Sequence, residues 1–402
     1  MGRQTPMFEA NMQFPERFSN LPEYAFPRMR ALLDAHEAGG DVIHMSIGEP
    51  RHPMPDFVGE MMQRYACEFA KYPPNEGTPG LRSSISQWIK RRFAVDIDPD
   101  TRIVPINGSR EGLFNAALAL LPEQKNGATP IALMPNPFYQ VYSVGAIMAQ
   151  AEPMFVPALA KTGFLPDYAS LASDVLDRVA IAFICTPSNP QGGVATRAYW
   201  KTLLELAEKH DFVVFADECY SEVYRDTPPV GALEVAHEIG ADPERLVVFH
   251  SLSKRSNLPG LRSGFIAAGP KTIALMKKLK AYSGAPLPLP IQHVSEAVWG
   301  DERHVERSRK LYQEKYAVVD EIMGDVPDYH PPEAGFFLWL PVWDGEAMAL
   351  KIWKNTGVRV LPGAYLSRPT EAGDPGAGFM RIALVAEINE MRTGLEAVRG
   401  CL

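Results

Sequence analysis

Along the chain, short apolar runs alternate with longer stretches whose apolar positions recur every three or four residues. A run of four to eight apolar residues bounded by turn residues reads as a buried strand, and the 3.6 period reads as an amphipathic helix. Strands are therefore predicted at 42–47, 102–106, 131–134, 179–185, 212–216, 246–250 and 264–268, with helices at 57–69, 81–93, 111–121 and 197–210. Strands separated by helical crossovers imply an α/β fold with a mainly parallel sheet covered on both faces. After about Pro290 the texture changes to long helical stretches at 291–299 and 304–323, shorter apolar runs at 336–340 and 380–384, and a last helix near 388–398. A large domain over residues 49–290 is expected, with a smaller α+β domain built from 291–402. Residues 1–48, which hold one helix-like stretch at 28–36 and no core of their own, should pack on the smaller domain. The Gly- and Pro-rich loop 367–378 is the segment expected to move.

Length and composition change this picture little. The 402 residues fit two or three domains at roughly 100–200 residues each. A hydrophobic fraction of 46% with 22% charged residues is that of a folded chain. Forty Lys and Arg against 48 Asp and Glu leave a net charge of −8 without a basic block, which argues against nucleic-acid or anionic-membrane partners. The four cysteines, Cys67, Cys185, Cys219 and Cys401, form neither a disulfide framework nor a CxxC pair, which favours a reducing compartment. Residues 1–20 lack the apolar stretch of a signal peptide and no 18-residue apolar run occurs, so a cytoplasmic location is expected. No metal is expected.

Candidate chemistry lies directly after the apolar strands, where open α/β sheets bind ligands. Ser251-Leu252-Ser253-Lys254 follows one such strand. A lysine held there can form an imine with a carbonyl cofactor, and Ser251, Ser253 and Arg262 can bind a phosphate. By itself Lys254 also reads as a solvated loop lysine. Asp217 ends another apolar strand, where its charge needs a cationic partner; a protonated pyridine nitrogen is one, while a helix cap or a metal ligand is the plain alternative. Tyr220, three residues on, and Asn189, fixed between Pro187 and Pro190, can both reach the phenolic oxygen of such a ring, although Asn189 also fits a simple turn. Gly108, Ser109 and Arg110 join a strand to a helix whose free N–H groups favour phosphate, or else cap it. Phe138 can stack on a flat ring or be core.

Taken in order, Asn189-Pro190-x-Gly192, Asp217-x-x-Tyr220, Ser251-x-Ser253-Lys254 and Arg262 resemble the class I and II aminotransferases of the aspartate aminotransferase superfamily. The resemblance covers nearly the whole chain and also rests on Ile47-Gly48-Glu49-Pro50, Tyr72 with Gly77-x-x-Gly80-Leu81-Arg82, and Arg381-Ile382-Ala383-Leu384. It implies the fold type I architecture with a seven-stranded sheet and pyridoxal 5'-phosphate carried by Lys254. Asp217 and Tyr220 then tune the cofactor, while Arg381, helped by Gly48 and Asn189, clamps the substrate α-carboxylate. Tyr72 reaches the cofactor phosphate of a neighbouring subunit, which implies a homodimer with shared active sites.

A closer likeness, through Asn107-Gly108-Ser109-Arg110-Glu111, Pro135-Asn136-Pro137-Phe138-Tyr139-Gln140 and Ser251 to Asn257, is to the succinyldiaminopimelate aminotransferases of bacterial lysine biosynthesis. That branch implies ping-pong exchange of an amino group between glutamate and a substrate with several carboxylates. Arg51 is then a candidate for the distal carboxylate, against the plain reading of a surface arginine. Gln191 stands where the superfamily most often has Thr and should not touch the chemistry. The proline-rich stretch 283–290 is expected at the substrate entrance. An aminotransferase of aspartate, alanine or aromatic amino acids, and a pyridoxal-phosphate C–S lyase, are the alternatives.

Overall fold

The computed structural model describes residues 16, 21, 23–371 and 373–402. In chain order the strands are β1 (Ile43–His44), β2 (Ile103–Ile106), β3 (Ile131–Asn136), β4 (Glu152–Pro157), β5 (Val179–Cys185), β6 (Val213–Asp217), β7 (Leu246–Ser251), β8 (Gly264–Ala267), β9 (Phe337–Pro341), β10 (Val358–Arg359), β11 (Leu361–Pro362) and β12 (Phe379–Ala383). Seven of them form one sheet in the order β2-β8-β7-β6-β5-β3-β4. β3 to β7 run parallel and only β8 is reversed, pairing antiparallel with both β7 and β2. The expected mainly parallel α/β sheet is therefore present. β5 and β7 are buried at every position, as strands covered on both faces must be.

Register decides where the chemistry sits. Cys185 pairs with Asp217, and Asp217 pairs with Phe249, so β5 and β6 end level while β7 runs on to Ser251. Asp217 and Ser251 thereby reach one carboxyl-terminal edge of the sheet.

Several elements differ from expectation for identifiable reasons. β4 carries Pro153 and Pro157, which disfavour a strand unless it lies at an edge, and β4 is the outermost strand. The helix Gln140–Met148 is apolar on almost every side, so no 3.6 period marks it. The strand expected over 42–47 shrinks to the two residues of β1, paired with β10. The helix expected at 28–36 begins earlier, at Ala25, and ends at Leu33.

The remaining sheet, β11-β12-β9, is antiparallel and packs with the helices Arg303–Met323, Gly345–Thr356 and Ile388–Arg399. Its core includes Tyr312, Tyr316, Leu338, Ile382 and Leu395 and continues into Cys185, Cys219 and Tyr220 at the end of the large sheet. The helix Ala25–Leu33 buries Ala25, Met29 and Leu33 against Trp353 and Tyr365. The helix Leu289–Gly300, by contrast, buries Val294, Val298 and Trp299 in the core of the large sheet. At roughly 1.5–3 kcal/mol for each large apolar side chain fully buried, that face binds the helix to the large unit. We therefore propose that the division falls after Gly300 rather than at 290.

The two units are also joined by hydrogen bonds. Asn136, fully buried at the end of β3, donates from Nδ2 to the Arg368 carbonyl at 2.7 Å and accepts the Arg368 N–H on Oδ1 at 2.9 Å. The loop expected to move is thus tied to the large sheet at its start, where Ser367 is buried too. Among the described residues no helix is long and apolar enough to cross a membrane.

Candidate active site

The carboxyl-terminal edge of the sheet, the Gly48 turn and β12 enclose a cavity of about 310 Å³. Of the residues singled out in the sequence, all but Gly108, Tyr72 and Arg51 line it.

At its floor lies Asp217, 5% exposed. Its Oδ2 accepts from the Tyr142 hydroxyl at 2.8 Å and its Oδ1 from the Cys219 N–H at 3.3 Å. Burial raises its pKa, and the hydrogen bonds from Cys219 and Tyr142 oppose that rise. Among the described residues no Lys, Arg or His forms an ion pair with it. A carboxylate in that setting is suited to a cation supplied by a ligand.

Lys254 lies in the short helix Leu252–Arg255 directly after β7, and its Nζ donates to the Gly48 carbonyl at 2.5 Å. Burial pulls its pKa down to about 8. The Cys219 thiol and Glu49 act against that shift, while Arg381 and Arg262 reinforce it. This is the only lysine lining the cavity among the described residues.

At one end of the cavity Ser251 Oγ donates to Ser253 Oγ at 3.0 Å. Arg262 lies over the turn before the helix Ser109–Leu120, with Nη2 on the Asn107 carbonyl at 3.3 Å. Gly108 has φ +81° and the Arg262 guanidinium packs so closely that any Cβ there would collide with it. Only glycine meets both conditions. Two hydroxyls, a guanidinium and a helix N-terminus next to a glycine with no side chain form a cradle suited to phosphate.

Opposite, Arg381 on β12 is 4% exposed and donates from Nη1 to Asn189 Oδ1 at 3.1 Å and from Nη2 to the Ser46 carbonyl at 2.7 Å. Burial lowers its pKa to about 10, and its Nε has no protein partner. Asn189 Nδ2 in turn lies 3.5 Å from the Tyr220 hydroxyl. Gly48 is required by packing, since a side chain there would strike the Phe337 ring.

Three candidates sit differently from the rest. Arg51 is not brought to the cavity: Glu390 holds Nη1 at 3.3 Å and the His44 carbonyl takes Nη2 at 3.4 Å. Its carboxylate partner is in its own chain, which favours the surface reading. Tyr72 is fully exposed, away from its own chain's cavity. Arg110 lines the cavity but its Nε donates to the Tyr139 hydroxyl at 2.7 Å. Phe138 is 2% exposed and packs against Phe155 at 4.8 Å, leaving the half-buried Tyr139 as a further aromatic on the cavity wall. No residue of the proline-rich 283–290 stretch lines the cavity, and Ala285 is held by Asn107.

Sequence reasoning missed Tyr142, Tyr139, Cys185, Cys219 and Leu366. A spacing of three between Tyr139 and Tyr142 at a helix start puts both on one face, which is a usable signal for the pair.

The family pattern for aminotransferase class I and II matches residues 40–398. The chain belongs to that family. Its members depend on pyridoxal phosphate, and this chain is accordingly a pyridoxal-phosphate-dependent aminotransferase with the residues to hold that group. It is 31% identical over 395 residues to an LL-diaminopimelate aminotransferase of Dehalococcoides mccartyi, covering 96% of this chain and 97% of that one. With an enzyme of the same name from Desulforudis audaxviator it shares 32% over 404 residues, covering 97% and 99%. Among solved structures, an aminotransferase from Neisseria meningitidis superposes with a TM-score of 0.91 at 38% identity, covering 95% and 98% of the two chains. One from Helicobacter pylori gives 0.88 at 33%, covering 97% and 99%. The fold type I expectation is met.

If the free Nε of Arg381 serves a substrate carboxylate, loss of this group should act on substrate binding rather than on the cofactor. Arg381→Lys keeps the charge but cannot hold Asn189, Ser46 and a carboxylate together. A charged hydrogen bond is worth about 1.5–3 kcal/mol, so KM for glutamate is expected to rise about ten- to a hundredfold. Steady-state kinetics on cofactor-saturated enzyme checks this, and an unchanged KM excludes the carboxylate role.

Proposed function

We propose that this aminotransferase exchanges an amino group between glutamate and N-succinyl-LL-2,6-diaminopimelate, with 2-oxoglutarate and the corresponding oxopimelate as the oxo acids. The reading rests above all on one arrangement: a single cavity is lined by a buried amine whose pKa burial lowers, a buried carboxylate without an ion-pair partner, and a buried arginine with an unused N–H.

Pyridoxal phosphate bound here supplies the carbonyl that takes up the amino group and a ring that accepts the electrons released at the α-carbon. Asp217 would hold the ring nitrogen protonated, Tyr220 and Asn189 would hydrogen-bond the ring oxygen, and the Ser109, Ser251, Ser253 and Arg262 cradle would take the phosphate. Arg381, with the Gly48 turn, fixes the substrate α-carboxylate so that the α-hydrogen faces Lys254. The Lys254 amine would take that proton and carry it until it is given back; burial, which favours the neutral amine, suits it to this near neutral pH. One oxo acid leaves before the second binds, so the kinetics are ping-pong. The full exposure of Tyr72 supports a homodimer in which each Tyr72 completes the neighbour's site.

The names of the Dehalococcoides and Desulforudis relatives support a second reading with the same carbon skeleton, free LL-diaminopimelate. The two differ at the distal nitrogen, an amide bearing a further carboxylate in one and an ammonium in the other. Initial rates with both compounds, aspartate, alanine and phenylalanine as donors to 2-oxoglutarate separate the possibilities. A kcat/KM highest for the succinylated compound supports the first reading, and one highest for the free diamine replaces it with the second. Pyruvate and ammonia released from a β-substituted amino acid without any oxo acid would instead indicate a lyase.

A further inference from the structure

Lys315 is 2% exposed in the helix Arg303–Met323, outside the cavity, yet among the described residues no carboxylate lies within ion-pair distance of it. Its Nζ donates to His52 Nε2 at 2.8 Å and to the Val385 carbonyl at 3.3 Å. His52 is itself buried and packs against the Tyr312 ring, tilted by 49° with the centroids 4.4 Å apart. Since Nε2 accepts, Nδ1 carries the ring proton, and it faces Ser308 Oγ at 3.3 Å. Asn257 joins the same chain: its Nδ2 donates to Ser308 Oγ at 3.2 Å and to the Pro53 carbonyl at 3.3 Å.

The three segments that meet here carry the three groups around the substrate. His52 follows Gly48 by four residues, Val385 follows Arg381 by four, and Asn257 follows Lys254 by three. His52 lies in a loop, and Val385 and Asn257 lie just past the ends of β12 and of the helix Leu252–Arg255, so Lys315 meets chain that no sheet or helix ladder fixes. A buried ammonium without a carboxylate costs stability, and a methionine of similar length would pack there without that cost. The group is therefore better explained by what its directed donors hold than by what they add to the core.

We propose that Lys315 is a positioning residue for the amino-acid substrate, the node that keeps the loop after Gly48 in register with the chain beyond Arg381 through His52 and Val385. The inference rests on the reading that Gly48 and Arg381 seat the α-carboxylate. The charges that face Lys315 are Glu387, Arg51 and Glu390, with His52 in contact; burial comes first in lowering its pKa to about 8. The same burial, reinforced by Lys315, lowers His52 to about 4, so the ring stays neutral and able to accept.

The test uses holoenzyme variants. In Lys315→Met, KM for glutamate is expected to rise about ten- to a hundredfold, the range a misplaced binding group produces, while kcat, the cofactor absorbance and the melting midpoint stay near wild type. Loss confined to KM marks weakened substrate binding rather than lost chemistry. His52→Gln, which keeps an acceptor for the ammonium, should behave like wild type, and His52→Leu should behave like Lys315→Met. An unchanged KM in Lys315→Met, or a fall in kcat, cofactor content and melting midpoint together, overturns the proposal. If Lys315→Met does not fold, the two His52 variants decide it, and equal behaviour of the pair sinks it. Arg381→Lys separates the two ideas: no effect there removes the carboxylate reading itself, whereas an effect there with none at Lys315 removes only this inference.

Discussion

Lys254→Ala is expected to lower the transamination rate on the order of 10⁴-fold, the upper range for a positioned acid–base group, and to remove the covalent hold on the cofactor. The argument is local. Burial brings the amine down to about 8, so the neutral form is far better populated near neutral pH than for an ordinary lysine, and no other lysine among the described residues lines the cavity to replace it. Lys254→Arg separates proton transfer from charge. A guanidinium stays protonated throughout the working range, so a residue needed only for its positive charge would survive the change, and a proton carrier would not. Both variants should fall to a similar level in single-turnover reactions with glutamate. In the wild type, the rate of that half-reaction should rise as pH approaches about 8 and flatten above it, because the neutral amine becomes the dominant form there. Cofactor-free Lys254→Ala should not melt earlier, since removing a buried amine relieves desolvation. Substantial turnover by Lys254→Arg would mean that another group moves the proton.

How far this site could be read from the sequence depended on whether one residue type had one plausible environment. β6 and β7 were legible because strands covered on both faces are almost purely apolar, and the polar residues that end or follow them stand out. Asp217 and Lys254 were found in that way. β4 was not, because two prolines contradict a strand except at an edge, and edge position is a property of the sheet order rather than of the segment. Tyr142 escaped for a related reason. In an apolar helix a tyrosine reads as core, and nothing in its neighbours reveals that its hydroxyl meets Asp217, 75 residues away. Arg51 shows the reverse error: proximity to Gly48 in sequence suggested the cavity, but Glu390, 339 residues on, claims its guanidinium. Long-range polar partners leave no periodic trace.

Asp217→Asn isolates the electronic part of the mechanism, with an expected fall in kcat on the order of 10³-fold, comparable to the loss of a key preorganised electrostatic contact. The substitution is nearly isosteric, so packing at a residue 5% exposed should survive. What changes is charge. The carboxylate is held by the Tyr142 hydroxyl and by Cys219 against a burial that raises its pKa. A cofactor whose ring nitrogen is protonated would supply the missing cation and lower that pKa again, so each charge stabilises the other. Asparagine can still accept from Tyr142, but towards the ring it has no charge with which to keep the nitrogen protonated, and the ring is a weaker electron sink without that proton. The melting midpoint of the cofactor-free protein should hold or rise, because a buried, unpaired charge has been removed. In the cofactor-loaded protein the added stability from binding should shrink, since a charge-assisted contact is lost. Titrating cofactor content alongside kcat separates the two effects: a variant fully loaded with pyridoxal phosphate yet slow in both half-reactions fits the role given to Asp217. Full loading with wild-type kcat would show that the carboxylate is structural, and that protonation of the ring is secured by some other group or is not needed.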